Sequence, residues 1–364
     1  MSWRRALLAG LLPVALLAAM VWRYAAAFML SLGLAAPAAE VWVAGLHGQP
    51  DRQETTIATD SGHLQTDLYR PVRPRGTLLL VHGLSRAGRR QPDLARLAQL
   101  LGEQGVLVVV PQFEGLAAFR LTGKEVDEVR AALRYTVALH QSAGIAGFSF
   151  GAGPALLAAA DFPGLRVVGS FGGYADLRNV VTFISTGAHS FDGRRYVRRQ
   201  EEYNRWKLLA LLVEFLPHQQ DGELLGQIVQ QKLANPDADT RQIEQGVGPN
   251  GRAVLALVLN QREDAVGDLL AQLPPGVRAA LSRLSPLPAI PRIRAQLVIA
   301  HGTADDSIPF TESLRLAAAA GDRAQVALFE TFHHTGPEAL WTSLWLRARD
   351  AWRLLRVADE LLPR

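Results

Sequence analysis

Cysteine is absent from the 364-residue chain, and this absence excludes several kinds of site at once. Without thiols there are no disulfide bonds, no thiolate zinc ligands and no cysteine nucleophile. The nine histidines do not suggest another metal site, because none shows His-Glu-x-x-His or a comparable ligand spacing. We therefore expect no metal and no other cofactor.

The sequence also lacks a large excess of charge of one sign. Charged residues make up 20% of the chain and the formal net charge is +4, so there is no large basic excess. A nucleic-acid-binding protein concentrates lysine and arginine on one face, interleaved with aromatic residues, and no such run occurs here. We therefore expect no nucleic-acid partner. The hydrophobic fraction of 49% allows a sizeable core and argues against wholesale disorder.

The amino terminus carries the most extended apolar sequence. Arg4 and Arg5 precede an apolar run from Ala6 to Trp22, Arg23 interrupts, and a second run extends from Tyr24 to Ala39. The first run is at the short end of what spans a bilayer. We predict that residues 1–40 are a membrane anchor or signal segment, and the length favours the uncleaved anchor.

Alternatives for this segment remain open. If Arg23 snorkels to the interface, the span extends towards Leu34. Cleavage near Ala36–Ala39 would instead make it a secretory signal, although an unusually long one, and a buried hydrophobic helix is the third possibility. The arginine pair before the span favours an extracytoplasmic main domain, whereas Arg23 after it weakens that orientation.

Beyond the amino terminus, short apolar segments alternate with helical patterns. Continuous apolar runs suit strands buried on both faces, and their alternation with helices is typical of a mostly parallel sheet covered on both sides. The predicted strands are Thr55–Thr59, His63–Tyr69, Thr77–Val81, Val106–Val110, Ala143–Phe148, Arg166–Phe171, Gln296–Ala300 and Gln325–Phe329. The predicted helices are Leu94–Gly102, Glu125–Leu139, one from about Gly151, Tyr203–Leu216, Ala253–Leu273, Thr311–Ala320 and Pro337–Leu362.

The alternation stops after the sixth strand. From Tyr174 to about Pro291 the sequence shows helical patterns and no convincing strand. We predict one α/β domain over residues 53–173 and 292–364, interrupted by a helical insertion over residues 174–291.

A candidate nucleophile follows the fifth predicted strand. Ser149 lies in Gly147-Phe148-Ser149-Phe150-Gly151, a Gly-x-Ser-x-Gly run between a strand and a helix. In this setting the small residues allow a sharp turn that lifts the serine above the sheet. A serine hydroxyl also needs a base, a group that orients the base, and donors for an oxyanion.

A second element makes the chain resemble the α/β-hydrolase superfamily. His82-Gly83 ends the Thr77–Val81 strand, and in that superfamily a His-Gly after the third strand shapes the oxyanion hole. The resemblance implies the α/β-hydrolase fold, with the backbone N–H groups of Leu84 and Phe150 as oxyanion donors. It also implies that residues 174–291 form a helical cap over the pocket.

The resemblance extends to the two remaining partners of a catalytic triad. His301-Gly302 and Pro309 frame a stretch of the form His-Gly-x-x-Asp-x-x-x-Pro, which implies Asp305 as the acid, with Asp306 as the alternative. A histidine is expected after the last strand, where His333 and His334 are adjacent. His334 is preferred because an aromatic residue, Phe332, lies two positions before it, and His333 remains the alternative.

These residues predict a membrane-anchored serine hydrolase. The expected substrates are small-molecule or lipid-like carboxylic esters, because the Tyr203–Leu216 helix carries a wide apolar surface, although that surface also suits simple packing. Acyl transfer, peptide cleavage and lactone cleavage would use the same triad. A non-catalytic hydrolase-fold binding protein is the alternative from another class. The expected location is the membrane with an extracytoplasmic catalytic domain, or secretion after cleavage.

Overall fold

The computed structural model describes residues 24–35, 48–60, 62–330, 332–333, 336–337 and 344–363, and these are the described residues below. The predicted span Ala6–Trp22 lies outside them. Within the described residues, no helix combines the length and the apolar composition that a bilayer crossing requires.

Eight strands form the central sheet. The strands of the described residues are β1 (Asp51–Thr59), β2 (Gly62–Arg70), β3 (Gly76–Val81), β4 (Val106–Pro111), β5 (Ala143–Phe148), β6 (Val167–Phe171), β7 (Ala188–Phe191), β8 (Arg194–Val197), β9 (Gln296–Gly302), β10 (Ala324–Phe329), β11 (Phe332–His333) and β12 (Gly336–Pro337). The sheet order is β1-β2-β4-β3-β5-β6-β9-β10. β2 runs antiparallel to β1 and β4, and every other pairing in this sheet is parallel.

Helices cover both faces of the sheet. They are α1 (residues 24–35), α2 (Pro92–Glu103), α3 (Glu114–Ala117), α4 (Lys124–Leu139), α5 (Ala152–Ala159), α6 (Leu177–Thr186), α7 (Glu202–Val213), α8 (Gln219–Ala234), α9 (Arg241–Gly246), α10 (Pro249–Leu259), α11 (Val266–Gln272), α12 (Pro275–Arg283), α13 (Thr311–Ala320) and α14 (Leu344–Leu361). Short 3₁₀ helices occur at Gly88–Arg90, Ser149–Gly151, Glu263–Ala265, Leu287–Arg292 and Gly321–Arg323.

The apolar runs divide into two cores because successive strand residues point to opposite faces. Leu79 and Val81 of β3 belong to the core on the face of α5 and α6. Leu78 and Leu80 of the same strand belong to the core on the face of α2 and α14. All residues of β3 and β4 are buried, as parallel strands covered on both faces require. The mostly parallel α/β architecture predicted from the sequence is therefore confirmed.

The segment between β6 and β9 contains α6 to α12, and it differs from the prediction in one respect. We predicted no strand there, but β7 and β8 form a hairpin. Its two-residue turn consists of Asp192 and Gly193, both with positive φ (49° and 72°). An Asp-Gly pair is favoured in such turns because its backbone twist matches that of the paired strands.

The predicted helix Ala253–Leu273 is also wrong in its extent. It is divided into α10 and α11 by a turn after Leu259. The Arg262 N–H donates to Asn260 Oδ1 at 3.1 Å, and Asn260 Nδ2 donates to the Arg262 carbonyl at 2.7 Å. These local bonds satisfy backbone and side-chain groups outside a helix, which is why asparagine favours turns.

The last helix begins later than predicted. The prediction begins at Pro337, but Pro337 lies in β12 opposite Phe332, and α14 begins at Leu344. The other predicted strands and helices agree with the structure to within about four residues at each end, the usual uncertainty for element boundaries.

Helix α1 packs on the α/β domain. Ala27 and Leu30 are buried in the core that includes α2, and the Arg96 guanidinium donates to the Gly33 carbonyl. Residues 24–35 of the predicted 1–40 segment therefore contact the folded domain through one helix face, while Phe28 on another face is exposed. The extension of a membrane span towards Leu34 stays a prediction.

Candidate active site

Ser149 occupies a strained backbone position where β5 meets the helix. β5 ends at Phe148, and the 3₁₀ turn Ser149–Gly151 leads into α5. Ser149 has a φ of 50°, a left-handed conformation that costs a residue with a Cβ about 1–2 kcal/mol. Such outliers persist only where the surrounding structure imposes them, and they cluster at functional sites.

The two motif glycines are required by close packing around this turn. A Cβ on Gly151 would lie 2.1 Å from the His82 carbonyl oxygen. A Cβ on Gly147 would lie 2.5 Å from the Ala152 Cα. Both contacts are with backbone, which cannot move aside as a flexible side chain can. The sequence therefore folds into this sharp turn only because both positions lack a side chain.

The loop after β3 lies directly against Ser149. A Cβ on Gly83 would be 2.9 Å from the Ser149 Cβ, and Leu84 lines the same cavity as Ser149 and Phe150. Within the described residues, the Leu84 N–H donates no hydrogen bond. The structure thus brings together the predicted nucleophile and both residues predicted to supply oxyanion donors. Their roles remain predictions.

His82, as a neutral imidazole, holds the loop after β3 in place. The Phe113 N–H donates to His82 Nε2 at 3.0 Å, so Nε2 is an acceptor and Nδ1 carries the proton, donating to the Gly83 carbonyl at 2.8 Å. Burial lowers the pKa of His82, because the imidazolium would lose its solvation. The ring therefore joins the loops after β3 and β4 beside Ser149.

Asp305 lies in a buried loop after β9. It is 6% exposed, and its Oδ1 accepts from the N–H groups of Ser307 at 2.8 Å and Ile308 at 3.0 Å. The His301 ring supports the loop by donating from Nε2 to the Ile308 carbonyl at 2.9 Å and accepting from Ser313 Oγ at 2.7 Å. Backbone donors therefore hold Oδ1 of Asp305. Because the carboxylate group is rigid, they also fix the direction in which Oδ2 points.

Asp306 makes different contacts. Its carbonyl accepts from Asn204 Nδ2 of α7 at 2.9 Å, and its Oδ1 accepts from Ser307 Oγ at 3.2 Å. It is more exposed than Asp305 and contacts the segment between β6 and β9. Of the two candidate acids, Asp305 has the environment of a fixed, buried carboxylate.

The two candidate bases, His333 and His334, follow β10 in the chain. His334 lies outside the described residues. His333 ends the two-residue strand β11, and its backbone pairs with Gly336. Strand β11 follows β10, so the pair occurs after the last strand of the central sheet, where the resemblance implies the catalytic histidine.

Helix α7 supplies Leu208, which belongs to the apolar surface noted in the sequence, and three residues that the sequence analysis missed. Asn204, Lys207, Leu208 and Leu211 line the cavity that contains Ser149, at the i, i+3, i+4, i+7 spacing of one helix face. Its other lining residues are Leu84, Ser149, Phe150, Ile184 and Ser307. The cavity encloses about 30 Å³, room for only a few water molecules.

Two further apolar cavities adjoin this region. One of about 20 Å³ shares Phe150, Leu208 and Leu211 with the Ser149 cavity and continues towards Phe215. The other, of about 410 Å³, lies on the face of α2 and α14, and Ser149 is not among the described residues that line it. A substrate must reach the nucleophile, so we assign the reaction centre to the smaller space that contains Ser149.

Buried polar contacts hold the segment between β6 and β9 on the sheet domain. Glu312 of α13 accepts from the N–H groups of Ala175 at 3.0 Å and Asp176 at 2.7 Å. Burial raises the pKa of Glu312, and these donors partly offset that effect. Asn204 extends the connection to the Asp305 loop by accepting from Ser307 Oγ at 3.3 Å. The position of α7 is therefore coupled to the loop that carries the candidate acid.

Comparisons with known proteins find similarity in structure alone. No protein-family model matches the chain, and no curated protein sequence matches it either. An acylaminoacyl peptidase in complex with Z-Gly-Gly-Phe-chloromethyl ketone superposes with a TM-score of 0.50 at 12% identity, covering 86% of this chain and 41% of that one.

Two shorter solved chains resemble this one along nearly their whole length. The α/β hydrolase GrgF from Penicillium sp. sh18 has a TM-score of 0.49 at 13% identity, covering 84% of this chain and 98% of that one. The esterase domain of a Rhodothermus marinus protein has a TM-score of 0.46 at 15% identity, covering 85% and 96%. At such identities the likeness concerns the fold.

Proposed function

We propose that this chain, which has the α/β-hydrolase fold, is a serine hydrolase that cleaves carboxylic esters. The observation that carries the proposal is the left-handed Ser149, held between β5 and α5 and packed against the loop after β3. Acyl transfer requires a reachable serine hydroxyl and backbone donors for the oxyanion, and Ser149 shares its cavity with Leu84 and Phe150, the predicted donor residues. Fold alone would not support the proposal.

The first half of the proposed reaction forms an acyl-enzyme. Ser149 Oγ attacks the ester carbonyl carbon while its proton passes to the imidazole of His334. The resulting oxyanion accepts hydrogen bonds from the N–H groups of Leu84 and Phe150. Collapse of the tetrahedral intermediate breaks the bond to the alcohol oxygen, which takes the proton from His334 and leaves.

The second half releases the acid. Water gives a proton to His334 and attacks the acyl carbonyl, and a second tetrahedral intermediate collapses to return that proton to Ser149 Oγ. Asp305 fixes the tautomer of His334 and stabilises its imidazolium form. The buried N–H donors on Asp305 Oδ1 suit this role, because they hold the carboxylate in one orientation.

The walls of the Ser149 cavity favour a hydrophobic acyl or alcohol group. Ile184, Leu208 and Leu211 contribute apolar surface beside the nucleophile, and the adjoining cavity continues that surface to Phe215. We propose that the segment between β6 and β9 acts as a cap. Because the space beside Ser149 is so small, the cap must shift before a substrate of ordinary size can bind.

Labelling with a fluorophosphonate probe tests the proposal. We expect the folded wild-type chain to react covalently and Ser149→Ala to remain unlabelled, since the probe captures an activated serine. Ser307→Ala is the matched control, because Ser307 lines the same cavity without being the nucleophile. Equal labelling of Ser149→Ala, or no labelling of the folded wild type, would contradict a Ser149-dependent hydrolase.

The choice of base gives a separate prediction. We expect His334→Ala to abolish turnover of short p-nitrophenyl esters and His333→Ala to retain most of it, because a single imidazole serves Ser149. Initial rates of both variants, with circular dichroism to establish folding, measure the difference. The reverse pattern would reassign the base to His333.

We also propose that residues 6–22 anchor the protein in a membrane, with the catalytic domain outside the cytoplasm. The apolar length and the preceding arginine pair support this assignment. The full chain is expected to stay in the membrane pellet after carbonate extraction and to be protease-accessible from the extracytoplasmic side. Release of the full-length chain into the carbonate supernatant would contradict the anchor.

A further inference from the structure

Lys207 is the cationic residue among those that line the cavity containing Ser149. It lines this cavity on the same face of α7 as Leu208 and Leu211. Its ammonium group lies 4.0 Å from the centroid of the Tyr203 ring and 6.0 Å from that of Phe119. Aromatic faces attract a cation without neutralising it, so the positive charge remains available.

Among the residues that the structure describes, no carboxylate pairs with the Lys207 ammonium. Within the described residues, Lys207 has no ion-pair partner inside 4.0 Å, and Asp306 is the acidic group whose charge reaches it from farther away. Partial burial lowers the pKa of Lys207, and Asp306 partly offsets the effect. A partly desolvated cation without a counter-ion is unfavourable unless an anion binds beside it.

The other two lysines of the sequence are Lys124 and Lys232, and neither lines the Ser149 cavity. Lys124 pairs with Glu128 at 3.3 Å on the surface of α4. Lys232 is half-buried, lies 5.4 Å from the centroid of the Trp206 ring and donates to the Pro236 carbonyl at 3.0 Å. Lys207 therefore differs from both, because it lines the same cavity as the proposed nucleophile and, within the described residues, its ammonium donates to no carboxylate or carbonyl.

We propose that Lys207 binds a carboxylate of the substrate, so that the preferred substrates are esters that carry a second, anionic group a few bonds from the scissile carbonyl. This inference rests on the proposed hydrolase function and specifies its substrate class. Once the cap has shifted to admit the substrate, Ile184, Leu208 and Leu211 contact the carbon chain between the two groups, and the ammonium binds the carboxylate at the far end. A charge-assisted hydrogen bond is roughly twice as strong as a neutral one, so Lys207 provides discrimination that the apolar walls do not.

Paired substrates test the proposal. Monoethyl glutarate carries the carboxylate, and ethyl 4-carbamoylbutanoate replaces it with a neutral amide of the same size. We expect the wild type to prefer the acid by about tenfold or more in kcat/KM, the ratio that one such bond supplies. Lys207→Met should remove the preference, Lys207→Arg should retain part of it, and Lys124→Met should leave it unchanged.

A binding measurement makes the test independent of ester turnover. Glutarate should slow fluorophosphonate labelling of Ser149 in the wild type and in Lys124→Met, but not in Lys207→Met, whereas glutaramide should protect none of them. No charge preference together with no protection by glutarate would overturn the proposal. An equal loss on both esters in Lys207→Met would also overturn it, since Lys207 would then act on the reacting centre.

Failure of this inference differs from failure of the hydrolase proposal. If Ser149 labels and the neutral ester is cleaved without charge discrimination, the hydrolase stands and the role of Lys207 is wrong. If folded wild-type protein neither labels nor cleaves either ester, the hydrolase proposal itself fails, and the carboxylate site fails with it.

Discussion

Ser149→Ala and Ser149→Gly are both expected to lower kcat by roughly 10⁶-fold, while differing in stability by about 1 kcal/mol. Both variants lack the hydroxyl that forms the acyl-enzyme, so their activities should be equally low. Their backbones differ. Alanine keeps a Cβ at a φ of 50°, whereas glycine adopts that conformation without the steric cost.

The direction of the stability difference follows from the folded state. Ser149→Gly should have the higher free energy of unfolding, because the left-handed strain is relieved there and retained in Ser149→Ala. The loss of chain entropy on ordering glycine offsets part of that gain. Urea unfolding with a common m-value for the two variants measures the difference, and p-nitrophenyl ester turnover measures the activities.

Two results would contradict this interpretation. Equal stability of the two variants would mean that the left-handed turn at Ser149 stores no strain. Substantial activity in either variant would mean that another group attacks the ester. As a control for glycine substitution in general, Ser142→Gly changes a serine outside the site, in the loop before β5, and should leave turnover unchanged.

Much of the fold could be predicted because each strand of the central sheet is a short apolar segment that can be recognised from its own residues. The uninterrupted apolar residues of β3, β4 and β5 indicate strands buried on both faces, and the sheet has that arrangement. The hairpin of β7 and β8 was missed although its Asp192-Gly193 turn was present in the sequence. Its strands are short and largely polar, so the hydrophobic pattern did not reveal them.

The site could be predicted only in part, because some of its residues follow local patterns and others are brought there by long-range contacts. Ser149, Leu84 and Phe150 follow strand ends of one sheet, and parallel strands bring their carboxyl ends to one edge. Lys207 reaches the same cavity from a helix more than fifty residues along the chain. The apolar residues of α7 predict the helix, but their helical spacing does not determine which face of the helix lies towards Ser149. That orientation depends on long-range contacts such as Asn204 with the Asp306 carbonyl.

Asp305→Asn is expected to lower kcat by about 10⁴-fold while leaving the fold intact. The asparagine carbonyl oxygen can still accept from the Ser307 and Ile308 N–H groups, which Asp305 Oδ1 accepts in the wild type. The amide nitrogen cannot accept a hydrogen bond from the histidine, so it favours the wrong tautomer of the base and leaves the imidazolium without a counter-charge.

Asp306→Asn is the matched control. It removes one negative charge from the adjacent position, but the Asp306 carbonyl still binds Asn204 and Asp305 is unaltered. We therefore expect a change of less than about tenfold in kcat for neutral esters, because asparagine at position 306 can still accept the Ser307 Oγ hydrogen bond. Initial rates with p-nitrophenyl acetate and unfolding curves for both variants separate chemistry from stability.

If Asp306→Asn is the inactive one, the acid is Asp306. If Asp305→Asn unfolds the protein, the backbone bonds to Oδ1 need the carboxylate charge, and Asp305→Glu would then show whether restoring that charge restores both folding and turnover.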